Sequence, residues 1–188
     1  MDRRQRKTRE AIFKAFSELL SKKDYNRITV SEIIERADVG RATFYAHFET
    51  KDFLARELCV ELFDHIFECE LGEAGAHTHI FDCDAPDSVF LHLFTHLQRN
   101  DNNLLHLLSC PSNELFLRYF KENLIRLVES HLSLFAEGHS EALPDAFWIN
   151  HIAATFVECV RWWIKNKMQE SPEEITKYFF LALNTHRV

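Results

Sequence analysis

The run Arg41-Ala42-Thr43-Phe44-Tyr45-Ala46-His47-Phe48 gathers an unusual set of side chains. On a helical wheel Phe44 and Phe48, four apart, share the side that would face a core. Arg41, Thr43, Tyr45 and His47 are left outward. They supply hydrogen-bond donors, a permanent positive charge and an aromatic ring, with no acid among them. Such a surface suits a helix entering the major groove of DNA, where groups must reach phosphates and base edges. Five basic residues within the first nine, Arg3, Arg4, Arg6, Lys7 and Arg9, would add sequence-independent attraction to the backbone.

The chain as a whole, 188 residues with a formal net charge of -7, looks unsuited to a polyanion. The charge is unevenly spread, however. Residues 1–56 hold 13 Lys+Arg against 9 Asp+Glu, a local balance of +4, which leaves -11 for residues 57–188. Asymmetry of this kind marks a nucleic-acid-binding end. With 46% hydrophobic residues a packed core is expected and wholesale disorder is excluded. No apolar run approaches the roughly 18 residues of a membrane span. The basic start leads into an amphipathic stretch, not a secretory apolar core. Five widely spaced cysteines do not read as a disulfide framework, so a reduced, cytoplasmic setting is expected.

The elements that would position these side chains read as helices. Four Gly and four Pro punctuate long stretches of helical period, and the predicted fold class is all-α. A first helix is expected over about 8–21, with Ala11, Ile12, Ala15, Phe16, Leu19 and Leu20 as its apolar stripe. Thr29-Val30-Ser31-Glu32 fits a capping box opening a helix that ends at Ala37. Asp38-Val39-Gly40 is a three-residue break before the short helix from Arg41. Two short helices joined this way, with a third packed against them, are the parts of a helix-turn-helix. Lys51 opens a long helix reaching about Glu70, and 74–87 reads as a linker. Further helices are expected at 88–100, 104–109, 113–136, 145–167 and 172–186. The last is signalled by Ser171 as cap, Pro172 at the first position, and Glu173 and Glu174 at the positive dipole end. The predicted division is a DNA-binding domain over 1–50 and an effector-binding and dimerisation domain over 51–188.

The stretch 29–54 resembles the DNA-binding domain of TetR-family transcriptional regulators. Its most telling part is Thr43-Phe44-Tyr45-x-His47-Phe48-x-x-Lys51-x-x-Leu54. The resemblance implies a homodimer whose paired recognition helices read a palindromic operator in double-stranded DNA. It implies phosphate contact at Thr29 and Thr43, base or backbone contact at Arg41 and Tyr45, and a backbone-facing role for His47. It implies a phosphate contact for Lys51 at a helix N-terminus. Asp38, Gly40 and Ala42 depart from the family's usual turn Gly, capping Ser and following Gly. Asp tolerates the left-handed turn conformation, whereas Gly40 should cap more weakly by a few tenths of a kcal/mol. Trp162-Trp163-Ile164-Lys165, then Met168 and Ser171-Pro172-Glu173-Glu174, resembles the dihydroxyacetone-kinase-operon regulator subgroup, in which partner proteins can act as effectors.

The acidic two-thirds yields expectations about assembly and ligands. The helices at 145–167 and 172–186 are apolar over wide arcs. They are expected to pair with a second copy through Phe156, Val160, Ile175, Tyr178, Phe179, Ala182 and Leu183 as a four-helix bundle. Phe94, Phe116, Phe120, His131, Phe156 and Trp163 are candidates to line an effector pocket. For His131 a backbone carbonyl is the expected partner. No cofactor or metal is expected. Cys69, His77, His79 and Cys83 fit no compact zinc pattern, and His92 and His96 fall off the Phe90–Leu93–Phe94–Leu97 stripe and so read as a solvated face. No Ser/His/Asp or Cys/His constellation or phosphate-binding loop is evident, so an enzyme is not expected. The expected function is a ligand-responsive repressor acting on a palindromic operator, with its effector unknown. The rival is a helical protein-interaction adaptor.

Overall fold

Thr29 and Glu32 fold as their types dictate. The Glu32 amide donates to Thr29 Oγ1 at 3.3 Å, and the Thr29 amide donates to Glu32 Oε2 at 2.9 Å. The capping box is therefore present and opens α2, Val30–Ala37. The computed structural model describes residues 3–70, 88–99, 103–109, 114–138 and 143–184, which are helical apart from turns. Ahead of α2 come α1, Arg3–Leu20, and a 3-10 turn over Tyr25–Arg27. After it come α3, Arg41–His47, and α4, Lys51–Glu70. The body continues with α5, Val89–Arg99; α6, Leu104–Ser109; α7, Glu114–Ser130; a 3-10 segment, Leu132–Gly138; α8, Asp145–Lys165; and α9, Pro172–Asn184. The predicted linker 74–87 lies outside the described residues.

Three boundaries differ from the sequence reading, each for a local reason. α1 starts at Arg3, five residues early, so the basic cluster rides on a helix and not on an extended arm. The helix expected over 113–136 stops at Ser130. There the His131 amide bonds to Val128 O at 3.1 Å, one residue short of the α pattern. The His131 ring takes the Leu127 carbonyl at 2.8 Å, which the helix would otherwise have used. α8 stops at Lys165 because Lys167 and Met168 adopt positive φ, 61° and 51°. The Met168 amide returns to Trp163 O at 2.8 Å, closing the helix end. α9 begins as predicted: Ser171 Oγ accepts from the Glu174 amide at 3.2 Å and the Ser171 amide donates to Glu174 Oε2 at 2.8 Å.

One apolar core runs through both predicted domains. Ile12, Phe13, Phe16, Phe44 and Phe48 fill the three-helix head, and Leu54, Leu58, Leu62 and Ile66 carry the core along α4 into the body. There α4 packs on α7 and α5, and α8 on α7 and α9. The expectation of a solvated face for His92 and His96 is corrected here. α5 is covered on both sides, by α9 and by α4, so both imidazoles are buried although they lie off the apolar stripe. The third ring packed against them is His65 of α4, also buried.

Candidate nucleic-acid interface

The turn between α2 and α3 is made by Asp38 in the left-handed region, φ 52° and ψ 49°, as its type allows. The Asp38 amide returns to Glu35 O at 3.3 Å and the Val39 amide to Ile34 O at 3.1 Å, closing α2. Gly40 caps α3 from an ordinary extended conformation, φ -72° and ψ 152°, with no side chain to hold the helix N-terminus. Within α3 the wheel holds. Phe44 is buried, as is Phe48 just after the helix, while Arg41, Thr43 and Tyr45 are exposed.

Two of the outward side chains are pre-positioned. Arg41 Nη2 donates to Ser31 Oγ at 2.9 Å, bridging α3 to α2. The Tyr45 ring stands edge-on to Phe44, centroids 5.4 Å apart, while the residue stays 45% exposed. Thr29 is exposed at the start of α2, its hydroxyl donating to Glu32 Oε2 at 2.9 Å. His47 is half-buried, and burial, with Arg9 nearby, lowers its pKa, so the ring is neutral at neutral pH.

Lys51 does something the motif did not announce. Its ammonium donates to Tyr25 O at 2.8 Å and Ile28 O at 3.0 Å and lies 4.1 Å from the centre of the Tyr25 ring. Tyr25 in turn donates its hydroxyl to the Asp52 carboxylate. Lys51 thus pins the start of α4 to the loop before α2, and burial lowers its pKa. Two of its three N–H donors are thereby engaged.

On α1 the exposed Arg3, Arg4 and Lys7 border a groove closed by Ala37, Asp38 and Val39 of the turn. The basic cluster therefore lies beside the helix-turn-helix. Arg9 points the other way, bonding Glu57 at 3.2 Å and Glu61 at 3.3 Å with its guanidinium over Phe13 and Phe48.

The remaining candidate residues sort by burial. Phe94, Phe116, Phe120, Phe156 and Trp163 are all buried and lie against one another, Phe94 stacking on Phe156 at 4.4 Å. The Trp163 indole N–H donates to Glu170 O at 3.0 Å. His131 is half-buried and finds the carbonyl partner expected for it. Of the residues expected to meet a second copy, Phe156, Val160, Ile175, Phe179 and Leu183 are seated in the protomer's own core. Tyr178 and Ala182 are exposed, and with Trp162 and Leu181 they form the outward side of α8 and α9. His77, His79 and Cys83, with the Cys69 side chain, lie outside the described residues.

A three-residue turn between two short helices that pack on a common core, a donor-rich outward face on the second and a basic helix beside them define a helix-turn-helix DNA-binding regulator. Family models match most of the chain: "Bacterial regulatory proteins, tetR family" over residues 12–58 and "Transcriptional regulator C-terminal region" over 84–185. The crystal structure of a TetR transcriptional regulator from Streptococcus agalactiae 2603V is similar over 97% of this chain and 96% of that one, with 30% identity and a TM-score of 0.70. An uncharacterized HTH-type regulator of Bacillus subtilis (strain 168), YxbF, is 42% identical over 71 residues, 35% of this chain and 19% of that protein. The dhaKLM operon transcriptional activator DhaS of Lactococcus lactis subsp. lactis (strain IL1403) is 35% identical over 66 residues, 35% of this chain and 31% of that protein. The chain thus spans less than a third of the length of either of these two relatives. It belongs to the TetR family of transcriptional regulators. Among the described residues no helix is long and apolar enough to cross a membrane.

Proposed function

We propose that the protein works in the cytoplasm as a homodimeric, ligand-responsive repressor that binds a palindromic operator through paired α3 helices. The observation that carries the DNA-binding part is the exposed Arg41–Thr43–Tyr45 face beside the exposed Arg3, Arg4 and Lys7. Thr29, Thr43, His47 and the remaining Lys51 donor would hold phosphates, and Arg41 and Tyr45 would reach bases. The apolar outward side of α8 and α9 supports a second copy as its cover. Trp162 and Tyr178 meet edge-on at 6.3 Å there, continuous with Leu181 and Ala182. An effector bound in the body would bias α4, which carries the core from head to body, and so the spacing of the two recognition helices.

Selection of bound fragments from genomic DNA, followed by a salt titration, tests this. A two-fold symmetric site whose affinity falls steeply with salt is expected. Binding without preference for any sequence would favour an interaction adaptor. A reporter gene behind the selected site reads the sign of regulation.

A further inference from the structure

Three buried histidines from two helices converge on one point, and the DNA-binding reading does not use them. His65 lies on α4, and His92 and His96 are one turn apart on α5. Their ring centroids are 4.9, 5.0 and 5.2 Å apart. One nitrogen from each ring lies within 4.8 Å of the other two, and the facing Nε2 atoms of His92 and His96 are 3.1 Å apart. Their buried neighbours along α4 and α5 include Leu62, Ile66, Leu93 and Leu97, and an aliphatic side chain at any of the three positions would fill the space without bringing polar nitrogens into it.

We infer that His65, His92 and His96 bind one divalent transition-metal ion, with zinc the best match, and that the ion fastens α4 to α5. Zinc–imidazole bonds of about 2.0–2.1 Å meeting at a tetrahedral angle put their nitrogens about 3.3–3.4 Å apart. The His92–His96 pair is a few tenths of an ångström from that spacing, and the His65 nitrogen, within 4.8 Å of both, must close by up to about 1.4 Å through rotation about its side-chain torsions. Three imidazoles exclude magnesium and calcium, which require oxygen ligands, and suit zinc, copper or nickel. Ligation takes the neutral imidazole, so binding should release any proton the rings carry. Three protein ligands leave one coordination position for water or an anion.

The site lies on the helix that begins at Lys51 and takes the Arg9 contact at Glu57 and Glu61. An ion there therefore stiffens the element joining the DNA-binding head to the body. That regulatory consequence rests on the regulator reading above, while the site itself does not.

Titration of cobalt(II) into chelator-treated full-length protein tests the site without DNA. One ion per chain is expected, with the visible ligand-field bands of a tetrahedral ion, and zinc should displace it. His65→Gln, His92→Gln and His96→Gln should each weaken binding by more than about 100-fold, beyond what outer-shell partners contribute. His131→Gln and His151→Gln should leave it unchanged. Because the buried variants can lose the fold, X-ray absorption on the zinc-loaded wild-type protein provides a second readout, and imidazole scattering from three ligands is expected. No stoichiometric cobalt binding, or binding that survives all three buried variants, overturns the site. With the site filled, operator affinity should change by at least about five-fold relative to metal-free protein. An unchanged affinity overturns the regulatory consequence and leaves the metal site standing. Failure of both the metal-free and the zinc-loaded protein to recognise any operator would instead count against the regulator reading.

Discussion

Arg9 Nη2 on α1 lies 3.2 Å from Glu57 Oε2 on α4, in a contact where the side chains are only 17% and 22% exposed. Glu61, one turn further along α4, takes the same nitrogen at 3.3 Å. The guanidinium also covers the faces of Phe13 and Phe48, so a single residue joins α1, the end of the recognition helix and the long helix into the body. Together with Lys51 at the start of α4, this ties the head to α4 at two points.

The Arg9 contact should be worth more than the other basic pairs of α1. Arg9→Ala leaves two half-buried carboxylates without their cation and uncovers two phenylalanine faces, at an expected cost of about 1–3 kcal/mol. Arg6→Ala breaks an i, i+4 pair with Glu10 at 3.4 Å whose side chains are far more exposed, worth about 0.3–0.5 kcal/mol. Urea unfolding of the two variants compares them directly. Equal costs would mean that Arg9 adds nothing beyond a surface pair.

Tyr45 and Lys51 should separate binding from stability. Tyr45→Ala removes an exposed side chain, so stability should stay within about 0.5 kcal/mol. Operator affinity should fall about ten-fold or more, since base-edge contacts contribute about 1–3 kcal/mol. Lys51→Ala removes one donor from the Tyr25 carbonyl and one from the Ile28 carbonyl and should destabilise the fold by about 1–3 kcal/mol while also weakening DNA binding. Thermal melts beside fluorescence-anisotropy titrations read both quantities. A Tyr45→Ala protein that binds operator like wild type would remove Tyr45 from the interface.

Gly40→Ser should stabilise the head. Gly40 has extended dihedrals open to any residue, and an added Cβ would meet only Thr43 Oγ1, at 3.6 Å. A serine there would supply the missing cap of α3 and reduce the freedom of the unfolded chain, together about 1 kcal/mol, or about 2–4 °C in Tm. A lower Tm would show that the space or the cap geometry is unsuitable.

The head was legible in the sequence because its signals are local. The Thr29/Glu32 box, the αL-tolerant Asp38 and the Phe44/Phe48 spacing each depend on residues within one turn of one another. The body was less legible because a wheel reports how apolar a helix is, not how many neighbours cover it. α5 is enclosed by α4 and α9, so His92 and His96 are buried in spite of their polarity, and His65, on a helix well before them in the sequence, gives no sequence hint that it meets them. For the same reason Phe179, on a helix apolar nearly all round, was expected at a partner and lies in its own protomer's core. For Lys51 the family resemblance implies a phosphate contact, and the structure adds two backbone carbonyls as partners. Its carbonyl partners are set by the 25–28 loop, whose path the sequence does not encode in any short pattern.

Glu32 should make the capping box acid-sensitive. The Lys23 ammonium first, and then the Thr29 amide and hydroxyl, hold its carboxyl down to about 2, against an ordinary 4.5. The folded value lies below the unfolded one, so the stabilisation is fully present above about 4.5 and is lost as pH falls from there through about 2. Glu32→Gln keeps a capping side chain but cannot titrate. The wild-type advantage over this variant in urea midpoint should therefore shrink across that window. An advantage independent of pH would contradict the assignment.

The proposed dimer face rests on exposure and not on apolar content. Trp162, Tyr178 and Leu181 remain 46%, 44% and 53% exposed on adjoining helices, an exposed apolar patch of the kind that marks an interaction surface. A double change, Tyr178→Glu with Leu181→Glu, places two like charges opposite their copies across a two-fold axis while touching no core residue. The expected product is a folded monomer with normal helix content and operator affinity lowered at least about 100-fold, since one recognition helix then binds where two did. Phe179→Glu should behave differently: it buries an unpaired charge at a fully enclosed site, so unfolding or insolubility is expected, not a soluble monomer. Sedimentation velocity and circular dichroism on both proteins distinguish the outcomes. A double variant that still sediments as a stable dimer would move the interface away from α8 and α9.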